Sequence, residues 1–366
     1  MPSPPPSQPL ACLRAIGTAV PANDIHDAFI GWASARVAPR HAPLFARMAG
    51  RSGIAHRWSV LPGGAGASPV DPGGFYADAL PGTGARMAIY AEAAPALALR
   101  AIDDLGTRTD VSGITHLVVA SCTGFVAPGI DQIIAARLGL PTVERVLIGF
   151  MGCYAAVVAL RTARHIVRSE PAARVLVVTV ELSTLHLQET DEIEPLLAML
   201  QFGDGAAAAL VTGATEADGD GAGVLLGAPI AVTLPDSEDL IRWAITDSGF
   251  AMHLDGAVPG RIATALHDPA LAATLTGGAP ADSLVWAVHA GGRSILDAVQ
   301  GALGLDGEAL AMSRGVLNDC GNMSSATLMF VLARLLADPL ADAHEGMALA
   351  FGPGLAAEGL RLRFAA

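Results

Sequence analysis

Lysine is missing from all 366 residues, so the 22 basic side chains are arginines. With no ε-amine there can be no Schiff base, no pyridoxal phosphate attachment and no phosphate-loop lysine. Positive charge is scarce too: the net charge of −13 argues against nucleic acid as partner, because binding phosphates needs a basic face. Charged residues make up only 16% of the chain. Even so, no apolar run reaches the roughly 18 residues a membrane span needs. The opening MPSPPPSQPL has neither a basic start nor an apolar core, so it does not read as a secretory signal but as a short disordered tail over residues 1–10. The four cysteines (Cys12, Cys122, Cys153, Cys320) lack CxxC spacing. That pattern argues against a zinc site or a disulfide framework and for a reducing, cytoplasmic setting.

What is present is apolar and glycine-rich: 52% hydrophobic residues and 41 glycines, the composition of a compact α/β protein. Strand-like and helix-like stretches alternate from residue 11 onward. THLVVAS (115–121), VERVLIG (143–149), ARVLVVTVE (173–181) and GAAAALVTG (205–213) read as strands, and GIDQIIAARLGL (129–140) as a helix. The second half repeats the plan. SLVWAVHAGG (283–292) reads as a strand and turn, RSILDAVQGALGL (293–305) as a helix, and GMALAFGPG (346–354) as a strand and turn. Residues 315–337 read as a strand or loop, a Gly-Asn turn and a helix. The pairs Gly152-Cys153 and Gly321-Asn322 match, each a glycine followed by a residue opening a helix, and His289 matches Cys122 at a strand end. This weak duplication predicts two similar halves, 11–220 and 221–366, meeting in the polar stretch near 214–226.

Such a fold brings strand ends and helix starts to one interface, where clefts form. Cys153, His289 and Asn322 stand at such ends. Taken singly, each has an ordinary explanation: a small buried filler, a hydrogen-bonded core histidine, a helix cap. Together they suit thioester chemistry. A helix N-terminus and a neighbouring imidazolium lower a thiol's pKa from about 8.5, and His and Asn side chains can both donate to an enolate oxygen.

HAGG (289–292), CGNMSSA (320–326), QFGDGAAA (201–208) and FGPG (351–354) resemble the signature of type III polyketide synthases, the chalcone-synthase-like members of the thiolase superfamily. The similarity runs in order from about residue 11 to the C-terminus. It implies a duplicated thiolase-like fold, layered α-β-α-β-α with mixed sheets, and a catalytic triad of Cys153, His289 and Asn322. It also implies acyl-CoA and malonyl-CoA substrates, no metal or organic cofactor, and a homodimer in which the loop 121–131, through Ala127, reaches the partner. Phe202 matches a gatekeeper phenylalanine, and Met252 stands where plant enzymes carry a second one. Cavity positions fall on Cys122, Thr123, Ser183, His186 and Ser324, with His186 a departure that either shortens the cavity, adds a proton donor or points elsewhere. Residues 36–57 hold five arginines and no acid, and the resemblance places Arg47 and Arg51 on coenzyme A phosphates. The alternatives are a single-step ketosynthase taking malonyl from a carrier protein, a cysteine-dependent thioesterase, and a catalytically silent assembly partner.

Overall fold

The computed structural model describes residues 9–63, 68–214, 223–338 and 344–364. The first half contains β1 (Leu10–Ala19), β2 (Asn23–Asp24), α1 (His26–Ser34), α2 (Ala42–Ala49), β3 (Trp58–Ser59) and α3 (Thr83–Gly106). It continues with β4 (His116–Ser121), α4 (Ile130–Arg137), β5 (Glu144–Gly149), α5 (Ala155–Ser169), β6 (Arg174–Leu182), α6 (Ile193–Met199) and β7 (Asp204–Ala214). The second half opens with β8 (Val224–Thr233), the hairpin β9 (Ile241–Thr246) and β10 (Gly249–Leu254), α7 (Val258–Leu266) and α8 (Pro269–Thr276). It ends with β11 (Val285–Val288), α9 (Arg293–Leu303), α10 (Ala311–Cys320), α11 (Ser325–Ala337), β12 (His344–Gly352) and β13 (Ala356–Phe364).

Nine strands form one mixed sheet in the order β11-β12-β13-β8-β1-β7-β6-β4-β5. The halves join where Ala11–Leu13 of β1 pair antiparallel with Val224–Leu226 of β8. Going outward from this seam, β1-β7-β6-β4 pair antiparallel, antiparallel, parallel. The series β8-β13-β12-β11 repeats those directions, so the duplication is written in the topology.

The layering follows from the two-residue period of a strand. In β4, Val118 and Ala120 face one core while Leu117 and Val119 face another, and in β11 Ala287 faces the first core while Trp286 and Val288 face a third. The shared first core holds α5 and α11 between the two halves of the sheet. Helices α3 and α4 cover the outer face of the first half, and α7 and α9 that of the second. The expected α-β-α-β-α arrangement is therefore present, with the two expected sheets continuous through β1 and β8.

Two readings need correction. GVLNDC (315–320) is not a strand or loop but the end of α10, where Ser313, Val316, Leu317 and Cys320 make one buried helical stripe. The expected tail overlaps β1, which already begins at Leu10; residues 1–8 lie outside the described residues, as does most of the expected junction near 214–226. Among the described residues no helix is long and apolar enough to cross a membrane.

Candidate active site

Cys153 sits two residues ahead of α5, and Asn322 three ahead of α11, each behind a glycine with a left-handed φ: 77° at Gly152 and 66° at Gly321. Neither glycine has room for a side chain. A Cβ on Gly152 would lie 2.7 Å from Pro353 of the FGPG turn, and one on Gly321 would lie 2.8 Å from the Gln201 carbonyl and 2.9 Å from Arg57 Cγ. Both turns thus owe their shape to glycine's freedom at positive φ. Ser324, with φ 47°, holds a conformation uncommon for a residue with a side chain. Its N–H donates to Asn322 Oδ1 at 2.8 Å, which fixes the amide.

His289 follows β11 directly, and its N–H donates to the Leu349 carbonyl at 2.8 Å. The residue is 2% exposed, yet neither ring nitrogen has a hydrogen-bond partner among the described residues. Buried polar atoms are nearly always paired, so an imidazole left open at both nitrogens points to a group reserved for a ligand. Asn322 Nδ2 donates to the Gly291 carbonyl at 3.1 Å, leaving its second N–H for another acceptor.

All three residues line one cavity of about 420 Å³, together with Cys122, Thr123, Gly152, Ser183, Phe202, Trp243, Met252 and Ser324. Met48, 45% exposed, marks its solvent end. Of the expected cavity residues only His186 is absent from this wall. It borders a second cavity of about 80 Å³, from which Ser183, Ala198, Phe202, Trp243 and Met252 divide the first. His186 is not a proton donor to a substrate. Its Nε2 donates to the Thr123 carbonyl at 2.8 Å, and its Nδ1 accepts the Phe250 N–H at 3.0 Å. The ring stacks on Phe250 and meets Trp243 edge-on. Burial lowers its pKa to about 4, so near neutrality it is an uncharged brace.

The electrostatics differ from the expected thiolate beside an imidazolium. Desolvation raises the Cys153 thiol to about 11, opposed by hydrogen bonding with Ser324 and Asn322, and lowers His289 to about 3. Burial thus favours the neutral form of each group, most strongly at His289, which is 2% exposed, and less at the half-buried Cys153. Moving the proton from sulfur to imidazole creates both charges together, and their attraction offsets part of that penalty.

Sequence reasoning missed three residues. Trp243 forms part of the wall between the cavities and donates its indole N–H to the Cys122 carbonyl at 3.1 Å. Glu181, fully buried on β6, accepts from the Cys122 N–H and Thr123 hydroxyl, each at 2.9 Å, and from the Ser325 hydroxyl. It ties the end of β4 to the start of α11, and burial raises its pKa to about 7. Arg57 does not belong to a basic surface with Arg36, Arg40, Arg47 and Arg51. It is 1% exposed, and desolvation lowers its pKa to about 9 despite the nearby Asp24 and Asp204 carboxylates. Arg47 and Arg51 are exposed, on and just after α2, whose Leu44 and Met48 line the large cavity.

Family models for the N- and C-terminal domains of chalcone and stilbene synthases match residues 6–215 and 226–365. The chain belongs to that family, the type III polyketide synthases. It is 36% identical over 286 residues to the "alpha-pyrone synthesis polyketide synthase-like Pks18" of Mycobacterium tuberculosis, covering 75% of this chain and 72% of that one. To the bisdemethoxycurcumin synthase of Oryza sativa it is 36% identical over 302 residues, covering 77% and 74%. The crystal structure of PKS-I from the brown alga Ectocarpus siliculosus superposes with a TM-score of 0.86 at 30% identity, covering 98% of this chain and 99% of that one. As a type III polyketide synthase the chain is a condensing acyltransferase.

Proposed function

We propose that this polyketide synthase extends an acyl-CoA starter with malonyl-CoA over several cycles, holding the growing chain on Cys153. The observation that carries this reading is the meeting, in one largely apolar cavity, of a thiol, an imidazole with both nitrogens open and an amide with a spare N–H. Cys153 Sγ attacks the starter thioester carbonyl, passes its proton to His289 and expels coenzyme A, leaving an acyl-cysteine. Malonyl-CoA then enters. The apolar lining disfavours its carboxylate, carbon dioxide leaves, and the enolate oxygen is held by His289 and the Asn322 amide. Losing one such donor typically costs about 3 kcal/mol of barrier. The enolate carbon attacks the acyl-cysteine, a carbon–carbon bond forms and Sγ is released; repetition and ring closure give a pyrone, resorcinol or phloroglucinol type of product. Coenzyme A arrives with the substrates, and the reaction calls on no metal or organic cofactor.

Arg47 and Arg51 serve as phosphate contacts for coenzyme A. The second copy of a homodimer covers the open edge strand β5, where Val146 is 39% and Leu147 48% exposed, with Phe125 beside them at 46%. Such an edge otherwise invites aggregation. A cytoplasmic setting, which keeps the thiols reduced, suits this chemistry.

The test is mass spectrometry of products from purified protein given malonyl-CoA and a panel of acyl-CoA starters, with Cys153→Ala alongside. Cyclised products containing several malonate units, absent from the variant, support the reading. A single two-carbon extension indicates a ketosynthase, and free acids without carbon dioxide release indicate a thioesterase.

A further inference from the structure

Arg57 occupies an unusual place for an arginine. It lies on the segment leading into β3, and its guanidinium is enclosed by protein. Nε donates to His26 Nδ1 at 3.0 Å, and Nη1 donates to the carbonyls of Met199 at 3.0 Å and Phe202 at 2.8 Å. The guanidinium carbon stands 4.6 Å from the centre of the Phe29 ring. One charged fork therefore grips the C-terminal end of α6 and the first residue beyond Gln201. The Met199 carbonyl belongs to the last turn of α6, where carbonyls lack helical partners and a positive charge is favourable.

The gripped strip is the one that holds Asn322. Asn322 N–H donates to the Gln201 carbonyl at 2.7 Å, and Gly203 N–H donates to the Asn322 carbonyl at 3.0 Å, so Phe202 and Asn322 form a short parallel bridge. Arg57 touches the other side of this bridge as well, through the close approach of its Cγ to Gly321. The neighbouring Trp58 donates its indole N–H to the Asp319 carbonyl at 2.9 Å, anchoring the end of α10 just before that turn. A single two-residue segment thus contacts both strips of the bridge. From α11, Thr327 accepts the Met323 N–H at 2.8 Å and lies 3.5 Å from Asn322 Oδ1, while the 199–202 strip is gripped from the first half of the chain.

We propose that Arg57 is a positioning residue: it fixes the backbone bridge between Phe202 and Asn322 and so sets where the Asn322 amide meets the enolate oxygen. The proposal rests on the role given to Asn322 above. Arg57 does not touch the substrate's reacting atoms. It acts by holding two carbonyls of the 199–202 strip in one place, which a guanidinium achieves while also keeping its Nε bond to His26. Displacement of a donor by about 1 Å costs on the order of 100-fold in rate. Because Asn322 acts on the enolate and Cys153 on the starter, the two half-reactions should separate.

Arg57→Lys and Arg57→Gln are compared with the unaltered protein in two assays, malonyl-CoA decarboxylation to acetyl-CoA and acylation of Cys153 by acyl-CoA followed by intact mass. Both are repeated with Asn322→Ala in the same chain. The expected result is a fall of about 100-fold in decarboxylation, with acylation changed by less than about threefold. In the Asn322→Ala background the Arg57 substitution should add almost nothing, since residues acting through one another are not additive. Arg57→Lys keeps the buried charge and the aliphatic stem, and carries the test if Arg57→Gln does not fold. Equal losses in both half-reactions, or the same loss with and without Asn322, overturn the proposal. If Asn322→Ala alone leaves decarboxylation intact, the role of Asn322 fails first and takes this proposal with it.

Discussion

Replacing Trp243 by glycine should lengthen the acyl chains that the enzyme prefers. The indole belongs to the wall between the cavity of about 420 Å³ that holds Cys153 and the second cavity of about 80 Å³. Behind the wall Ile25, Phe29, Leu61, Val70 and Leu187 offer an apolar lining. The second cavity alone has room for two to three groups of roughly 30 Å³, the share of one water in the liquid, and the space vacated by the indole adds to it. Each methylene moved from water into apolar surroundings contributes about 0.8 kcal/mol. Two more methylenes should therefore shift relative kcat/KM by roughly 15-fold in favour of the longer starter. The substitution also destabilises the protein by about 3 kcal/mol, the lower end for loss of a large aromatic, because Trp243 is only half-buried. The assay is competition among straight-chain acyl-CoA starters differing by two carbons, with products counted by mass. An unmoved length optimum in a variant that circular dichroism shows to be folded refutes the reasoning, as does an equal loss for every starter.

His186→Ala should lower stability by about 3 kcal/mol, since the Thr123 carbonyl and Phe250 N–H would each lose a buried partner; urea unfolding at pH 7 checks this. The folded pKa of His186, about 4, lies below its ordinary value of 6.5, so its contribution is complete above pH 6.5 and is lost as pH falls towards 4. The variant's stability should accordingly fall less over that interval than that of the unaltered protein. Glu181 has the opposite sign: its folded pKa, about 7, exceeds the ordinary 4.5, so stability is lost as pH rises through that window. Glu181→Gln should flatten the decline, measurable as unfolding free energy at pH 5 and pH 8. Gly152→Ala should cost at least about 1 kcal/mol from the left-handed φ, more from the contact with Pro353, and should slow Cys153 alkylation; thermal unfolding and intact mass report the two effects.

The parallel strands were legible because strands buried on both faces read as unbroken apolar runs, as HLVVAS and RVLVVT do. GVLNDC misled because Gly, Asn and Asp are weak helix formers, although the spacing of Ser313, Val316, Leu317 and Cys320 carried the helical signal. Cys153 and Asn322 could be singled out because their turns require glycine and repeat between the halves. His186 could not be interpreted, since nothing in STLHLQ tells that both ring nitrogens are taken by distant backbone. Arg57 looks like its four neighbours in the sequence, and only burial separates it from them. Trp243 lies in an otherwise unremarkable hairpin, and its importance comes from cavities that exist only once the chain has folded.

The seam between β1 and β8 has a mechanical meaning. Cys153 comes from one half of the duplication and His289 and Asn322 from the other, so the acyl group and the enolate that attacks it ride on different halves. Three residue pairs, Ala11–Leu13 against Val224–Leu226, join those halves in the sheet. A slip of one residue there would displace one reactant from the other by about 3.4 Å, more than the length of the bond to be made. Alignment of the two carbon fragments thus depends on main-chain pairing at this seam as well as on the bridge between Phe202 and Asn322.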